Sequence, residues 1–430
     1  MKNRIAFISE HASPLAALGG VDSGGQNVYV AELARQLSYI GYQIDIFTRR
    51  DDKILPDLVQ WEPGIRVIHV YAGPAEIIPK EQLFDYMPEF TGNMLKFITD
   101  QNIRYELIHA NFWMSGIVAC ELKAILNIPF VITFHALGHV RRIHQKEADK
   151  FPESRMFFEE EAVKKADRVI AECPQDLEDL VQLYHADPAK VNVIPCGFSD
   201  KEFYPVNKTQ ARKIAGLPAN DRILLQLGRM VPRKGVDNVI KALGELKRKS
   251  VEAKLVIVGG ETGSSNPELC PELVRLMDIA REHDVADLVI FAGRKNRDML
   301  KYYYSAADIF ITTPWYEPFG ITPLEAMACG TPVIGADVGG IKYSVADNLT
   351  GFLVPANDPK ALAEKAAVLL TNQELLQTMK KNAIERVNNE FTWSKVGKMI
   401  DHVYKEIQTS VRQTVNIKEN ADLSNLLRSA

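Results

Sequence analysis

Cations and carboxylates recur at short spacings in two motifs of the second half of the chain. One motif is the turn Gly228-Arg229-Met230-Val231-Pro232-Arg233-Lys234-Gly235, and the other runs from Glu317 through Pro-Phe-Gly-Ile-Thr-Pro-Leu to Glu325. Cations on a glycine-bounded turn beside a helix N-terminus can neutralise a diphosphate that gains charge as it leaves. Arg229 and Lys234 are therefore predicted to hold a diphosphate, and a solvated basic turn is the alternative.

The end of the second motif has two interpretations. Thr322-Pro323-Leu324-Glu325 has the pattern of a capping box with proline at the first helical position, which would give Glu325 a structural role. A helix from Pro323 to Cys329 is, however, too short to need elaborate signals for its own stability. Its N-terminal N–H groups would also form an anion site. Both interpretations stay open on the sequence alone.

Two further motifs lie in the first half of the chain. The loop from Gly19 to Asn27 is rich in glycine, which permits close approach of the backbone to a ligand. It lacks the G-x-G-x-x-G fingerprint of dinucleotide binding, which argues against a dehydrogenase, and a flexible loop is the alternative. His135 follows another apolar run and could be an interior imidazole. His109 lies at the end of a neighbouring apolar run and is a weaker candidate for a histidine in the site.

The elements that must position these motifs are short apolar runs separated by amphipathic stretches. The runs occupy 4–8, 43–48, 65–70, 107–110, 130–134, 168–172 and 191–195, and then 223–228, 254–260, 288–293, 309–313, 332–336 and 351–354. This alternation predicts an α/β protein with two doubly wound parallel sheets. Because ligands bind at the carboxyl ends of parallel strands, two facing sheets should form a shared cleft.

The predicted domains are residues 1–197 and 198–410, with a loosely docked tail at 411–430. A chain of 430 residues exceeds the size at which one core stops growing. A net charge of -4 gives no case for a nucleic-acid or anionic-membrane partner. The five cysteines are scattered, without metal-site spacing, and no Asp-x-Asp pair or His/Cys cluster stands in a suitable setting, so no metal is expected. No cofactor is expected either.

No apolar run is long enough to cross a bilayer, and the run after Met1 is too short for a signal peptide. A cytoplasmic protein with small-molecule partners is expected. The sequence does not decide the oligomeric state, and a homodimer is one alternative.

The motif Gly-Arg-x-x-x-x-Lys-Gly followed by Glu-Pro-Phe-Gly-Ile-Thr-x-Leu-Glu resembles the donor site of glycosyltransferase family 4. Members of that family are retaining enzymes with the GT-B fold, in which two Rossmann-like domains face each other across a cleft. The resemblance implies that Arg229 and Lys234 bind the donor diphosphate. It also implies that Glu317 faces the donor sugar and that Glu325 holds the ribose.

The same resemblance assigns further residues. His135 would contact the donor sugar near the reacting carbon, and Arg294 would lie against the nucleotide base. The remaining donor-binding residues would be Gly24, Gly25, Phe319, Gly320, Ile321 and Thr322, and Asn27 would face the acceptor. The co-substrate would be a nucleotide-sugar donor, expected to be UDP-linked.

The chain is most similar to the inositol-phosphate glycosyltransferase and sucrose-phosphate synthase groups. The inositol-phosphate enzymes hold the acceptor phosphate with Lys, Arg, Tyr and Thr. Lys80 and Arg155 match the two cations, whereas Phe112 and Ala136 stand where the hydroxyls would be. Each lost hydrogen bond to a charged group weakens binding by about 1.5–3 kcal/mol. The two retained cations still favour an anionic acceptor.

The sequence therefore predicts a retaining hexosyltransferase that acts on a small polar, phosphorylated sugar or polyol. Three alternatives remain: a sugar-nucleotide epimerase of the same fold, a transferase acting on an unphosphorylated sugar or glycan, and an inactive nucleotide-sugar binder. The presence of both Glu317 and Glu325 with Arg229 and Lys234 argues against the binder.

Overall fold

Two β-sheets, one in each half of the chain, organise the fold. The computed structural model describes residues 3–16, 24–260 and 270–428, and for residue 412 and residues 414–428 it describes the backbone alone. The predicted loop residues Gly19 to Ser23 lie outside the described residues. We call the part built on the first sheet the first domain and the part built on the second sheet the second domain.

The first sheet has eight strands in the order β3-β4-β2-β1-β5-β6-β7-β8. All neighbours pair in parallel except β3 and β4, which are antiparallel. The strands are β1 (Arg4–Ile8), β2 (Gln43–Arg49), β3 (Leu58–Glu62), β4 (Ile65–Val70), β5 (Leu107–Asn111), β6 (Phe130–Thr133), β7 (Arg168–Ala171) and β8 (Val191–Val193).

The second sheet has six parallel strands in the order β11-β10-β9-β12-β13-β14. They are β9 (Ile223–Leu227), β10 (Lys254–Val258), β11 (Val289–Gly293), β12 (Ile309–Thr312), β13 (Val333–Ala336) and β14 (Gly351–Val354). The two sheets confirm the predicted doubly wound α/β architecture. Each predicted apolar run corresponds to one strand, and only the antiparallel edge strand β3 was missed.

Helices connect the strands and cover the sheets. They are α1 (Gly25–Ile40), α2 (Met87–Asp100), α3 (Trp113–Leu126), α4 (Gly138–Gln145), α5 (Ser154–Lys165), α6 (Pro174–Tyr184), α7 (Lys208–Ala215), α8 (Val236–Arg248), α9 (Pro271–Glu282), α10 (Arg297–Ala306), α11 (Ile321–Ala328), α12 (Gly339–Ser344), α13 (Pro359–Thr371), α14 (Gln373–Glu390) and α15 (Trp393–Arg428). Residues 5–8 of the central strand β1 are fully buried, as expected for a sheet covered on both faces.

The strand order reverses beside β1 in the first sheet and between β9 and β12 in the second. A reversal leaves a crevice at the carboxyl ends of the two strands, because their crossover helices lie on opposite faces. In the second domain the loops after β9 and β12 meet at this point, and they carry the two charged motifs. In the first domain the chain enters α1 after β1, beside the end of β5.

The last helix crosses from the second domain back to the first. Phe198 and Thr392 form an isolated parallel bridge where the two crossing segments meet. Beyond it, Trp393 packs edge-on against Tyr29. Tyr42 Oη donates to Asp401 at 2.9 Å. The predicted boundaries stay predictions, but the structure shows that part of the segment 198–410 packs on first-domain residues.

The backbone of α15 is helical through Arg428, so it continues through most of the predicted tail. None of the helices in the described ranges has an apolar stretch long enough to cross a bilayer.

Candidate active site

A cavity of about 310 Å³ lies between the two domains. The first domain contributes the N-terminus of α1 and the loop after β6, and the second contributes the loops after β9, β11 and β12. Every residue predicted for the donor and for the chemistry lines it: Gly24, Gly25, His135, Arg229, Lys234, Arg294, Glu317, Phe319, Gly320, Ile321, Thr322 and Glu325. The structure brings these residues together, and their individual roles stay predictions.

The loops after β9 and β12 meet through an ion pair. Lys234 Nζ contacts Oε2 of Glu317, and Nη1 of Arg233 lies 4.0 Å from the same oxygen. Gly235 makes this approach feasible: it adopts a φ of +67°, and a Cβ there would lie 2.0 Å from the carbonyl oxygen of Thr313. The two charged motifs therefore form one wall of the cleft.

Electrostatics keep Glu317 ionised in this wall. Burial acts to raise its pKa, but Lys234 and the two neighbouring arginines outweigh burial and hold the pKa below its usual value. Burial lowers the pKa of Lys234, and Glu317 opposes that change. The pair is thus a carboxylate and an ammonium that stabilise each other at the edge of the cavity.

The capping-box interpretation of Glu325 was wrong. Helix α11 begins at Ile321 rather than Pro323, because Gly320 turns the chain with a φ of +89°. Pro323 then lies within the first turn, where its missing N–H leaves no hydrogen bond unmade.

The Glu325 carboxylate is directed away from the cap and is 2% exposed. It accepts hydrogen bonds from Arg297 Nη1 at 3.0 Å and from Tyr304 Oη at 2.9 Å. Burial raises its pKa, although Arg297 opposes the shift. The carboxylate is therefore anchored on one side while it lines the cavity on the other.

His135 is held rigidly at the first-domain side of the cleft. Its Nδ1 lies 3.0 Å from Glu172 Oε1, and its Nε2 lies 3.1 Å from Asn111 Oδ1. Its φ is +58°, a conformation that costs energy in a non-glycine residue and is concentrated at functional sites. The Asn111 amide nitrogen donates to backbone carbonyls, which leaves its oxygen facing the imidazole.

His109, the weaker histidine candidate, is fully buried away from the cavity. Its Nδ1 lies 2.6 Å from Tyr404 Oη on α15, and its Nε2 lies 2.9 Å from Thr133 Oγ1. Burial, assisted by His135, lowers its pKa to about 3. His109 is thus a neutral interior residue that ties β5 to the last helix.

The five residues predicted for the acceptor, Asn27, Lys80, Phe112, Ala136 and Arg155, do not line the donor cavity. Asn27 accepts from the Gly24 backbone N–H at 2.9 Å and donates to the Ser13 carbonyl at 2.9 Å, so it shapes the start of α1. Lys80 begins a short 3₁₀ turn, with its Nζ 3.6 Å from a Glu81 carboxylate oxygen.

Arg155 is buried, with 1% of its surface exposed. Its Nε donates to Glu159 at 2.7 Å, and its Nη2 donates to the Ala136 carbonyl. The guanidinium lies over the Phe112 ring, 5.0 Å from the centroid. Nη1 has no hydrogen-bond partner among the described residues. The structure therefore groups Phe112, Ala136 and Arg155, whereas Lys80 belongs to a separate element.

Comparison with known proteins places this site in a family. The family model described as Glycosyltransferase Family 4 matches residues 23–202, and the one described as Glycosyl transferases group 1 matches residues 207–386. The D-inositol 3-phosphate glycosyltransferase of Thermobispora bispora is 35% identical over 97% of this chain and 98% of its own length. The chain belongs to the glycosyltransferases of family 4.

Other relatives agree with that membership. The glycosyltransferase is 34% identical to the D-inositol 3-phosphate glycosyltransferase of Corynebacterium diphtheriae, over 94% of this chain and 95% of the relative. The structure of a sucrose-phosphate synthase from Thermosynechococcus elongatus superimposes with a TM-score of 0.87 at 35% identity, covering 95% of this chain and all of the other. These similarities confirm the GT-B fold and the predicted enzyme class, a hexosyltransferase.

Several residues of the glycosyltransferase cleft were not singled out from the sequence. Gln26, Glu172, Arg233 and Arg297 also line the cavity. Glu172 is the last residue of a predicted strand, and Arg233 lies inside a quoted motif, so their positions could have marked them. Arg297 follows the strand end that carries Arg294, but only the fold shows that it reaches Glu325.

Tyr316 joins the two domains of the glycosyltransferase beside Glu317. Its hydroxyl accepts a hydrogen bond from Gln145 Nε2 at the end of α4. The His144 ring stacks on it with a centroid distance of 5.0 Å. The Arg233 guanidinium lies 5.3 Å from the centroid of the same ring. Contacts from the first domain thus reach the cationic turn of the second.

The described residues contain no group of three or more His, Cys, Asp or Glu arranged to hold a metal ion. The charged side chains of the cavity that carry a predicted role in binding the donor are Arg229, Lys234, Arg294, Glu317 and Glu325.

Proposed function

We propose that this glycosyltransferase moves a hexosyl group from a UDP-linked sugar to a small phosphorylated sugar or polyol, with retention of anomeric configuration. One observation carries the proposal: Arg229, Lys234 and Glu317 line a single cavity between two Rossmann-like domains. Cations and a carboxylate in one wall suit a ligand that has a diphosphate on one side and a hydroxyl-rich ring on the other.

In the proposed reaction, the bond from the anomeric carbon to the diphosphate oxygen breaks, and the acceptor oxygen bonds to that carbon from the same face. The acceptor hydroxyl proton passes to the departing diphosphate. Arg229, Lys234 and the first N–H groups of α11 stabilise the charge that develops on the leaving group. Glu317 and His135 orient the sugar. Arg294 would contact the base and Glu325 the ribose.

The acceptor class rests on the relatives and on two cations. The relatives are named for D-inositol 3-phosphate and for sucrose-phosphate, both of which are small phosphorylated molecules. Lys80 and Arg155 are the predicted phosphate partners, and Arg155 has one nitrogen without a hydrogen bond among the described residues. An acceptor phosphate would fill that unmade bond if the Phe112 ring moved aside.

A second candidate is transfer to an unphosphorylated sugar. Arg155 is engaged by Glu159 and covered by Phe112, and neither Phe112 nor Ala136 offers a hydroxyl. An anion binds less favourably at a site whose cation is already paired with a carboxylate. This candidate shares the donor chemistry and differs only in the acceptor.

A nucleotide-release screen separates these functions. Free UDP, GDP or ADP is measured while the enzyme is given each nucleotide sugar and a panel of sugars, polyols and their phosphates. UDP release with phosphorylated acceptors alone, and a product with the donor's anomeric configuration by NMR, would support the proposal. Turnover restricted to unphosphorylated acceptors would favour the second candidate. An isomerised sugar formed from donor alone would indicate an epimerase, and inversion would reject retention.

The proposal also includes a cytoplasmic location and leaves a homodimer as an alternative to a monomer. Light scattering on the purified enzyme would decide the oligomeric state.

A further inference from the structure

Three cations share one carboxylate in the wall of the cleft. Arg229, Arg233 and Lys234 all line the cavity, and Glu317 faces them. Glu317 is paired with Lys234, which contacts Oε2 directly. Arg233 approaches the same oxygen without closing a hydrogen bond, at 4.0 Å. Arg233 therefore lies near Glu317 without taking part in the ion pair that Lys234 forms.

One nitrogen of the Arg233 guanidinium makes no hydrogen bond with the described residues. Nη1 is the nitrogen nearest Glu317, it is buried, and it has no hydrogen-bond partner among the described residues. A buried donor without a partner costs free energy that the rest of the structure must offset, so such groups need an explanation. The Tyr316 ring under the guanidinium supplies a favourable contact but no acceptor in the plane of the N–H groups.

Donor binding changes what Lys234 must do. A diphosphate brings negative charge on both phosphoryl groups, and Lys234 would turn toward it. Glu317 would then lose its partner in a poorly solvated wall while further negative charge enters beside it. A carboxylate left unpaired in such a place is strongly destabilised. Some other cation must take the position of Lys234 if Glu317 is to stay ionised and in place.

We propose that Arg233 is a positioning residue that becomes the partner of Glu317 when the donor diphosphate draws Lys234 away. The inference rests on the proposed function, because it needs a diphosphate at Lys234. A movement of about 1 Å closes the gap from 4.0 Å to a charge-assisted hydrogen bond. Arg233 thereby fills its unmade bond and holds the Glu317 carboxylate toward the sugar.

The same step balances charge in the wall. Arg229, Arg233 and Lys234 line the same cavity as Glu317, and their positive charge attracts a diphosphate. With the donor bound, Arg229 and Lys234 neutralise the diphosphate and Arg233 neutralises Glu317. Without Arg233, the diphosphate and Glu317 would compete for the two remaining cations.

A double-mutant cycle between Arg233→Met and Glu317→Gln tests this role. The probe is UDP, which brings the diphosphate without the sugar, and its dissociation constant is measured by calorimetry. Arg233→Met is expected to weaken UDP binding at least tenfold in the wild-type background, because Glu317 then competes for Lys234. In the Glu317→Gln background the same change should have less than about a threefold effect, since no carboxylate needs a partner.

Three further measurements complete the experiment. The melting temperature of ligand-free Arg233→Met should equal that of the wild type, because Lys234 still pairs with Glu317. Arg233→Lys should recover most of the lost affinity. Lys295→Met removes another cation that lines the cavity and is not ion-paired with Glu317 within the described residues. As the matched control, it should weaken UDP binding by the same factor in both backgrounds.

Steady-state kinetics give an independent readout. Arg233→Met should raise the donor KM and lower kcat together, because Glu317 is both unpaired and misplaced. Equal losses of UDP affinity from Arg233→Met in the two backgrounds would overturn the inference, since Arg233 would then contact the diphosphate itself. An unchanged affinity in the wild-type background would also overturn it. A wild-type enzyme that binds neither UDP, GDP nor ADP would refute the proposed function, and the role of Arg233 with it.

Discussion

At the level of single residues, the ion pair between Lys234 and Glu317 joins two side chains that we also propose to act in donor binding. Both side chains are mostly buried, with 20% and 14% of their surface exposed. Removing one partner of such a pair is costly, whereas replacing both by apolar residues of similar size is often nearly neutral. The pair therefore permits a test that separates stability from binding.

We expect Lys234→Met to lower the free energy of unfolding by about 1–3 kcal/mol, because Glu317 loses its closest partner and Arg233 compensates only in part. Urea unfolding measures this change. The double variant Lys234→Met with Glu317→Leu should recover most of the stability but show no donor binding. A double variant as unstable as the single one would contradict the explanation.

Many residues that line the cavity could be predicted from the sequence, because two compact motifs carry them and each motif follows a strand. Their partners could not. The sequence gives no sign that Glu325 bonds to Arg297 and Tyr304, since 28 and 21 positions separate them along the chain. The burial of Arg155 beneath Phe112 was equally hidden, because it depends on how α5 packs beside the loop after β6.

At the level of elements, helix α4 packs against the loop after β12 through contacts with Tyr316. The ring lies against His144, its hydroxyl accepts from Gln145, and Arg233 rests on the ring. The Tyr316 ring therefore fixes the position of the Arg233 guanidinium in the cleft. The hydroxyl contributes to the contact between domains rather than to the position of Arg233.

Substitution of Tyr316 should distinguish these two contributions. Tyr316→Phe keeps the ring and is expected to change UDP affinity less than about threefold. Tyr316→Ala removes the support of Arg233 and should weaken UDP binding about tenfold or more, through the same loss as Arg233→Met. Calorimetry on both variants measures the difference. Equal effects of the two substitutions would assign the role to the hydroxyl instead.

The order of strands and helices was predictable from the alternation of apolar runs with amphipathic stretches, because parallel strands buried on both faces have a continuous apolar pattern. The edge strand β3 was missed, since its residues are partly exposed and mostly polar or aromatic. The start of α11 was misplaced because the positive φ of Gly320 depends on the neighbouring loop. A local capping pattern could not reveal it.

At the level of the whole molecule, α15 fastens the two domains to each other. It begins beside Phe198 and then packs along first-domain residues. Asp401 accepts a hydrogen bond from Tyr42, and the Tyr404 hydroxyl forms one with His109. The Tyr404 hydroxyl meets His109 in the middle of the first sheet. A titratable group therefore lies at the contact between the last helix and the first domain.

Acid should weaken this contact. The pKa of His109 falls from 6.5 to about 3 on folding, mainly because burial disfavours the imidazolium. The unfolded chain therefore takes up the proton first, so stability is complete above pH 6.5 and is lost as the pH falls from 6.5 toward 3. From pH 8 to pH 5 the loss is about 2 kcal/mol, at 1.36 kcal/mol per pKa unit.

Urea unfolding of the wild type and His109→Gln at pH 8 and pH 5 measures this loss. The variant, which keeps a polar side chain facing Tyr404 and Thr133, should lose about 2 kcal/mol less between the two values. Equal losses in the two proteins would exclude His109 as the cause.

Truncations should show which part of α15 contributes. A chain ending at residue 410 keeps Trp393, Asp401 and Tyr404, and we expect its melting temperature to lie within about 2 °C of the full chain. A chain ending at residue 392 loses all three and exposes the apolar surface around Tyr29, so it should unfold at a temperature lower by more than 10 °C. A large loss already at residue 410 would contradict the prediction of a loosely docked tail.

The contacts of Trp393, Asp401 and Tyr404 with Tyr29, Tyr42 and His109 mean that the last helix completes the packing of the first domain. A gene fragment encoding residues 1–197 would consequently produce a protein with an open apolar groove. A synthetic peptide covering residues 391–410, added separately, should bind that fragment and restore its solubility. Such complementation would show that the last helix can bind the first domain when the two are supplied as separate chains.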